Sequence, residues 1–183
     1  MKRNLLSIVA IALVSVLAFA SCNKDKQMSD YLTNKNGWKM TSVTCSHELQ
    51  LQGGTTLAAN TELLTGDYAN LTGYFYAYEI DDIYKFVADE KTPTEGKEFV
   101  NYNKDLKEGQ DTQDHEIGNF VINNDTKILG LYLPWAPTPA THASIKTLDA
   151  KTMELICNYT VEADNTSKLA PGDYTFTVKF AAE

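Results

Sequence analysis

The stretch Tyr174-Thr175-Phe176-Thr177-Val178-Lys179-Phe180 alternates strictly between large apolar and polar side chains. A period of two places the apolar residues on one face of a β-strand and the polar residues on the other. A strand with one buried and one solvated face is typical of antiparallel sheets. This stretch therefore predicts an antiparallel β protein, and we interpret the rest of the chain around it.

Two hairpins are predicted before this strand. In each, two apolar-rich runs flank a short polar turn whose Asn or Asp residues tolerate a positive φ. The first joins Ile117–Ile122 to Lys127–Leu133 through Asn123-Asn124-Asp125-Thr126, and the second joins Ile145–Leu148 to Met153–Val161 through Asp149-Ala150-Lys151-Thr152.

The N-terminal half predicts a short helical turn and further strands. The turn is Ser29-Asp30-Tyr31-Leu32, with Ser29 or Asp30 as its cap. The strands are Trp38–Cys45, the aromatic-rich run Leu71–Ile80, Ile83–Ala88 and a run near Glu98–Tyr102. The polar segment Asn103–Glu116 is interpreted as a long exposed loop or edge.

The pattern of Trp38–Cys45 does not show which face of this strand is buried. One face carries Trp38, Met40, Ser42 and Thr44, and the other carries Lys39, Thr41, Val43 and Cys45. Each face therefore carries both large apolar and polar residues.

No long helical period appears after residue 21. Short strands joined by tight hairpins and polar loops are typical of all-β barrels and sandwiches. We predict an all-β fold, an antiparallel up-and-down barrel of about eight strands, with a β-sandwich as the alternative.

The N-terminus predicts export and lipidation. Lys2 and Arg3 precede the apolar run Leu5–Ala20, which ends in Ala20-Ser21-Cys22. The run is shorter than the ~20 residues that a membrane-spanning helix needs. The pattern resembles the bacterial lipoprotein box, and Phe19 with the Ser-Cys ending resembles the version common in Bacteroidetes. The resemblance implies cleavage before Cys22 and acylation of its thiol.

These boundaries predict the domain organisation: a lipoprotein signal peptide over residues 1–21, lipidated Cys22 with a flexible tether over 22–30, and a single β-barrel domain over 31–183. We expect a cell-envelope location, anchored in the outer membrane with the domain on its periplasmic or surface-exposed side. The formal net charge of −8 disfavours nucleic acid, because phosphate binding needs clustered Lys and Arg.

Several segments resemble the lipocalin-like lipoproteins of Bacteroidetes over about Leu32–Phe180. They are Leu32 with Gly37-Trp38-Lys39-Met40-Thr41-Ser42, then Tyr84-Lys85-Phe86, Ile145–Leu155 and Tyr174-Thr175-Phe176. The insert around Tyr102–Glu116 and the Pro-rich loop depart from that pattern. The resemblance implies a fold and an envelope address more than an activity.

The expected strand order predicts the state of Cys45 and Cys157. In an up-and-down barrel the last strand pairs with the first, which places the Tyr174 strand between those of the two cysteines. Two inter-strand spacings of about 4.8 Å exceed the Cα separation of about 7 Å that a disulfide tolerates. We therefore predict two free thiols.

No catalytic or metal site is predicted. Ser46-His47-Glu48 contains the residue types of a hydrolase triad, but neighbours along a strand point to opposite faces, so we expect no productive Ser–His hydrogen bond. Asp114-His115-Glu116 lacks a second nearby histidine. The chain has no P-loop or calcium-loop pattern, and we expect no cofactor and no metal.

The candidate binding residues are aromatic. Tyr74, Tyr76 and Tyr78 share one strand face, and their phenols either pack across strands or line a pocket. Tyr132 and Trp135 flank the start of the Pro-rich stretch Leu133–Pro139, whose stiff backbone makes Trp135 either a pocket lid or a cover over the barrel end.

Two functions follow from these features. The first is a non-catalytic lipoprotein that binds a small hydrophobic ligand in or at the mouth of the barrel. The second is a structural or interaction module of the cell surface, which presents its aromatic loops to a glycan or a protein.

Overall fold

The chain forms a closed antiparallel β-barrel of eight strands. The structure is a computed structural model that describes residues 27–64, 81–103, 106, 111–134, 136–137, 140–163 and 169–183. One short helix, α1 (Met28–Leu32), precedes the barrel.

Ten strands are described, of which β2 and β3 form a separate two-stranded sheet. Their bounds are β1 (Trp38–Cys45), β2 (Leu49–Gln50), β3 (Thr56–Leu57), β4 (Ile83–Ala88), β5 (Glu95–Asn101), β6 (Asp114–Asn123), β7 (Ile128–Tyr132), β8 (Ala140–Leu148), β9 (Thr152–Val161) and β10 (Gly172–Ala182).

The strands from β4 to β10 pair in chain order, and β1 closes the barrel between β10 and β4. This order confirms the predicted up-and-down, lipocalin-like barrel and rules out the sandwich. The tight turns 89–94, 124–127 and 149–151 lie together at one end, which we name the short-turn end. The connections 46–82, 102–113, 133–139 and 162–171 join their strands at the other end, which we name the long-loop end.

A β-bulge in β1 explains why its buried face was ambiguous. The register against β10 shifts between Met40 and Ser42. Trp38 and Met40 are buried before the shift, and Val43 and Cys45 are buried after it. An extra residue in one strand moves the following side chains to the opposite face, so both predicted faces point inward in turn.

The alternating face of β10 is buried as predicted. Its inward residues are Tyr174, Phe176, Val178 and Phe180, and all four are at most 5% exposed. Phe180 meets Tyr84 of β4 edge to face, with ring centroids 5.8 Å apart. Side chains from the two strands that flank β1 therefore pack together inside the barrel.

Helix α1 covers the short-turn end. Leu32 is fully buried, and the indole Nε1 of Trp38 donates a 2.8 Å hydrogen bond to the Leu32 carbonyl oxygen. The helix cap differs from the prediction of Ser29 or Asp30. The N-cap is Gln27, whose backbone N–H donates to the Asp30 carboxylate at 2.9 Å.

Apolar side chains from the connections cover the long-loop end. The buried ones are Leu49, Leu51, Leu57, Leu63, Leu64, Leu133 and Leu169. Glu62 holds part of this cover on the edge of β1, because its carboxylate accepts from the Ser42 hydroxyl at 2.6 Å and from the Val43 backbone N–H at 2.9 Å.

Cys45 and Cys157 are free and buried, which confirms the predicted thiols. Cys45 pairs with Phe176 of β10, and Phe176 pairs with Cys157 of β9. The two cysteines therefore stand two strand spacings apart at the same level of the wall, a separation of about 9.6 Å.

Two segments predicted as loops contain strand. Asp114-His115-Glu116 begins β6 and pairs with the end of β5, because Asn101 and Phe99 supply backbone partners to this polar run. Thr56 and Leu57 form β3, although the sequence from Thr55 to Tyr68, after the turn signal Gly53-Gly54, predicts a loop. The predicted strand Leu71–Ile80 lies outside the described residues.

We predict that Trp38→Phe lowers the free energy of unfolding by about 1–3 kcal/mol. The substitution removes the indole donor and leaves the buried Leu32 carbonyl without its partner. Urea titration measures the change, with the exposed Val87→Ala as the control. An unchanged midpoint would show that this bond does not hold α1 in place.

We also predict that both thiols resist modification in the folded protein. Burial raises the pKa of the Cys157 thiol to about 12, although a hydrogen bond with Tyr159 opposes the rise. A thiol reagent at pH 8 should react only after denaturant is added, and oxidation should form no intramolecular disulfide. Fast labelling without denaturant would contradict the closed wall around Cys157.

Candidate functional site

Only one of the predicted aromatic residues lies in the described part of the chain. Tyr74, Tyr76, Tyr78, Trp135 and the lipidation site Cys22 lie outside it. Tyr132, the last residue of β7, is half-buried at the long-loop end. The described site is therefore built around Tyr132.

An acidic residue that the sequence reasoning missed approaches Tyr132 from inside the barrel. Glu98 lies in the middle of β5 and is 0% exposed. Its Oε2 accepts a 2.7 Å hydrogen bond from the Tyr132 backbone N–H. A fully buried carboxyl is costly unless its oxygens are hydrogen-bonded, so its position calls for a physical reason.

The reason for one oxygen is a gap in the strand ladder. The register between β6 and β7 runs from Asn123↔Ile128 only as far as Val121↔Gly130. The Tyr132 N–H lies beyond that ladder, and the Glu98 carboxyl takes the place of the missing strand partner. We name this region, where the hydrogen-bonded ladder between β6 and β7 ends toward the long-loop end, the β6–β7 seam.

Gly118 leaves room for the carboxyl to cross β6. It pairs with Glu98 in the β5–β6 register, and the register shifts immediately after this pair. A Cβ atom at Gly118 would stand 3.0 Å from the Tyr132 Cβ. A side chain here would force the two strands apart, so glycine allows their close approach.

No hydrogen bond explains the burial of the second oxygen of Glu98. Oε1 is buried and has no hydrogen-bond partner among the residues that the structure describes. Burial raises the pKa of Glu98 to about 8, and the bond from the Tyr132 N–H opposes the rise. At neutral pH the group is therefore mainly a protonated carboxylic acid, which can both donate and accept a hydrogen bond.

A second buried polar pair lies on the other side of β7. The hydroxyls of Thr141 in β8 and Tyr159 in β9 share a 2.9 Å hydrogen bond. Thr141 pairs with Leu131, the residue before Tyr132. The end of β7 is thus flanked inside the barrel by a carboxyl on one side and by two hydroxyls on the other.

The contact between Ser46 and His47 corrects a prediction. Ser46 Oγ lies 2.9 Å from His47 Nδ1, although we expected adjacent residues to point apart. The reason is that β1 ends at Cys45, and both residues lie in the bend that follows it. His47 Nε2 lies 3.0 Å from the Asp173 carbonyl oxygen, which orients the exposed ring at the rim of the barrel.

The cavities lined by described residues open to the outside of the wall. A groove of about 530 Å³ lies across β5 at the short-turn end, between Val87 and Val121. Another of about 530 Å³ lies beside the β2–β3 turn and Pro171. The described residues contain no cluster of three or more potential metal ligands, and no helix among them is long and apolar enough to span a bilayer.

Comparisons of the chain with protein-family models, with curated proteins and with solved structures find no match.

Glu98 could have been noticed from its spacing. In Glu95–Asn101 it shares the inward face with Val100, whereas Glu95 and Lys97 are exposed. An acid in phase with an apolar residue is an unusual feature of a strand. The β6–β7 seam could not be predicted from the sequence, because it depends on where the ladder between two strands ends.

We predict that Glu98 makes the folded barrel lose stability as pH rises from about 4.5 to 8. Below its ordinary value of 4.5 the group is protonated in both states, whereas between 4.5 and about 8 only the unfolded chain releases the proton. The free energy of unfolding therefore falls by about 1.4 kcal/mol per pH unit across this window and levels off above it.

Glu98→Gln removes the titrating group and should flatten this dependence, because the amide oxygen still accepts from Tyr132. Urea titrations at pH 5, 6.5 and 8 measure it. Glu95→Gln, an exposed change in the same strand, is the matched control and should keep the wild-type slope. Parallel wild-type and Glu98→Gln curves would show that the carboxyl is not buried as described.

Proposed function

We propose that the protein is a non-catalytic, lipid-anchored binding protein of the cell envelope. It holds a small hydrophobic ligand in or at the mouth of the barrel, at the long-loop end. The resemblance to lipocalin-like lipoproteins implies the barrel fold and the envelope address, whereas the binding role rests on the site described above.

The observation that carries the proposal is the unpartnered Glu98 Oε1. Binding sites for small molecules are largely apolar and contain a few polar groups that fix the orientation of the ligand. Perturbed ionisable groups also concentrate at such sites. A ligand with an apolar body and one hydrogen-bonding group would give Glu98 the partner it lacks.

The connectivity of the predicted aromatic residues is compatible with this proposal. Tyr132 contributes its backbone N–H to Glu98, and Trp135 follows three residues later in the connection 133–139. Tyr74, Tyr76 and Tyr78 belong by connectivity to the segment 46–82, which also joins the barrel at the long-loop end. Phenol and indole rings combine an apolar body with a polar tip, which suits an amphipathic ligand.

The anchor is supported by the sequence. Lys2 and Arg3, the apolar run and the Ala20-Ser21-Cys22 ending have the layout of a lipoprotein signal. Lipid chains on Cys22 contribute about 0.8 kcal/mol per buried methylene, so the barrel itself needs no affinity for the bilayer.

A second candidate is a surface module with a filled barrel. The buried leucines of the connections favour it, because they cover the long-loop end with side chains of the protein itself. In that case the loops would contact a glycan or a protein partner from outside.

We expect native mass spectrometry of the detergent-extracted lipoprotein to show a bound species that disappears on denaturation. Glu98→Leu should weaken the affinity about tenfold and so lower the bound fraction, the effect of losing one hydrogen bond of about 1.4 kcal/mol, whereas Glu95→Leu should retain it. Circular dichroism checks that both variants fold.

A wild-type protein that keeps its ligand-free mass after incubation with lipid and small-molecule extracts would contradict the binding function. That result would favour the surface module.

A further inference from the structure

We propose that the barrel stands on the membrane with its short-turn end toward the lipid and its long-loop end facing away. The lipid surface lies against the short-turn end of the barrel. This inference rests on the lipid anchor of the proposed function and adds an orientation to it.

The tether meets the barrel at the short-turn end. Helix α1 begins at Met28 and packs against β8 at the short-turn end. The residue before it, Gln27, receives a 3.4 Å hydrogen bond from the Asn124 side-chain amide in the β6–β7 turn. The path from the anchor therefore reaches the domain at this end.

The tether is short compared with the height of the barrel. Five residue steps separate Cys22 from Gln27, and a fully extended chain spans at most about 3.6 Å per residue, or about 18 Å in total. Strand β10, from Gly172 to Ala182, has 11 residues. At about 3.3 Å per residue and a tilt of about 40°, it separates the two barrel ends by about 25 Å. The tether is too short to reach around the barrel and bring the long-loop end down to the lipid.

The surface at the short-turn end carries exposed apolar side chains. Val87 and Val121 are 54% and 51% exposed, and each lies within two residues of the short-turn end of its strand. They border the 530 Å³ groove across β5. Two exposed valines beside the tethered end suit contact with a lipid interface, and the carboxylates of Asp89, Glu90 and Glu95 in the same groove favour neutral over anionic headgroups.

The orientation has a consequence for ligand access. Tyr132 and the β6–β7 seam lie toward the long-loop end, so they would be on the aqueous side. A ligand would then arrive from solution and not directly from the anchoring leaflet.

The test measures how close each end comes to the lipid. Two single variants each add one reactive thiol. Lys151→Cys places it in the β8–β9 turn at the short-turn end, and Gln52→Cys places it in the β2–β3 turn at the long-loop end, while Cys45 and Cys157 are buried. The full-chain lipoprotein carrying a fluorophore at either site is reconstituted into phosphatidylcholine vesicles containing lipids spin-labelled on the headgroup. Asp125→Cys and Thr55→Cys form a second pair, should either first variant fold poorly.

We expect quenching at Lys151→Cys to exceed that at Gln52→Cys at least threefold. Inserting about twenty Gly and Ser residues between Cys22 and Gln27 should reduce that difference, because a flexible linker of this length frees the barrel. Equal quenching at the two ends, or stronger quenching at Gln52→Cys, would overturn the orientation while leaving the anchor intact. Protein that does not co-float with vesicles would overturn the anchor and the orientation together.

Discussion

The fold depends on the pairing of the last strand with the first. Strand β10 pairs with β9 along almost its whole length and with β1 on its other edge. Without the β1 pairing, the strands would form an open sheet with two exposed edges and no enclosed core. The same pairing sets the distance between Cys45 and Cys157 and places Trp38 where its indole can hold α1 over the short-turn end.

Closure is uneven around the wall, and the uneven places are where acidic side chains act. Strand β1 pairs with β4 only at Trp38 and Lys39, and Glu62 occupies the edge of β1 beyond that point. The ladder between β6 and β7 also ends early, and Glu98 accepts the Tyr132 N–H there. The Glu62 carboxylate has both oxygens hydrogen-bonded, by Ser42 and Val43, whereas Glu98 lacks a described partner for Oε1. This difference marks Glu98 as the position where a ligand would relieve a buried cost.

The sequence predicted the parts of the fold that local alternation and turn chemistry determine. Strand β10, strand β4 and both hairpin turns follow from apolar periodicity and from Asn and Asp at the turns, and the strand order then decided the thiols. It could not predict the bulge after Met40, because a one-residue register shift appears only when two strands are paired. It also could not separate β6 from a polar loop, since Asp114-His115-Glu116 becomes strand through pairing with β5 and not through its own propensity. Glu98 was missed because a buried acid contradicts the pattern that identifies a strand. Its role emerges from Gly118, Tyr132 and the end of a ladder, which no single stretch of sequence contains.

Glu98 is a buried carboxylic acid, and we propose its unpartnered oxygen as the polar group that binds a ligand. The most direct measurement is a pH titration of its side-chain carboxyl carbon by NMR, on protein labelled with ¹³C at glutamate and assigned with Glu98→Gln. The account predicts a midpoint near pH 8, and a change in both shift and midpoint when a lipid and small-molecule extract is added. A midpoint in the ordinary range near 4.5, unmoved by the extract, would contradict both the burial and the proposed site.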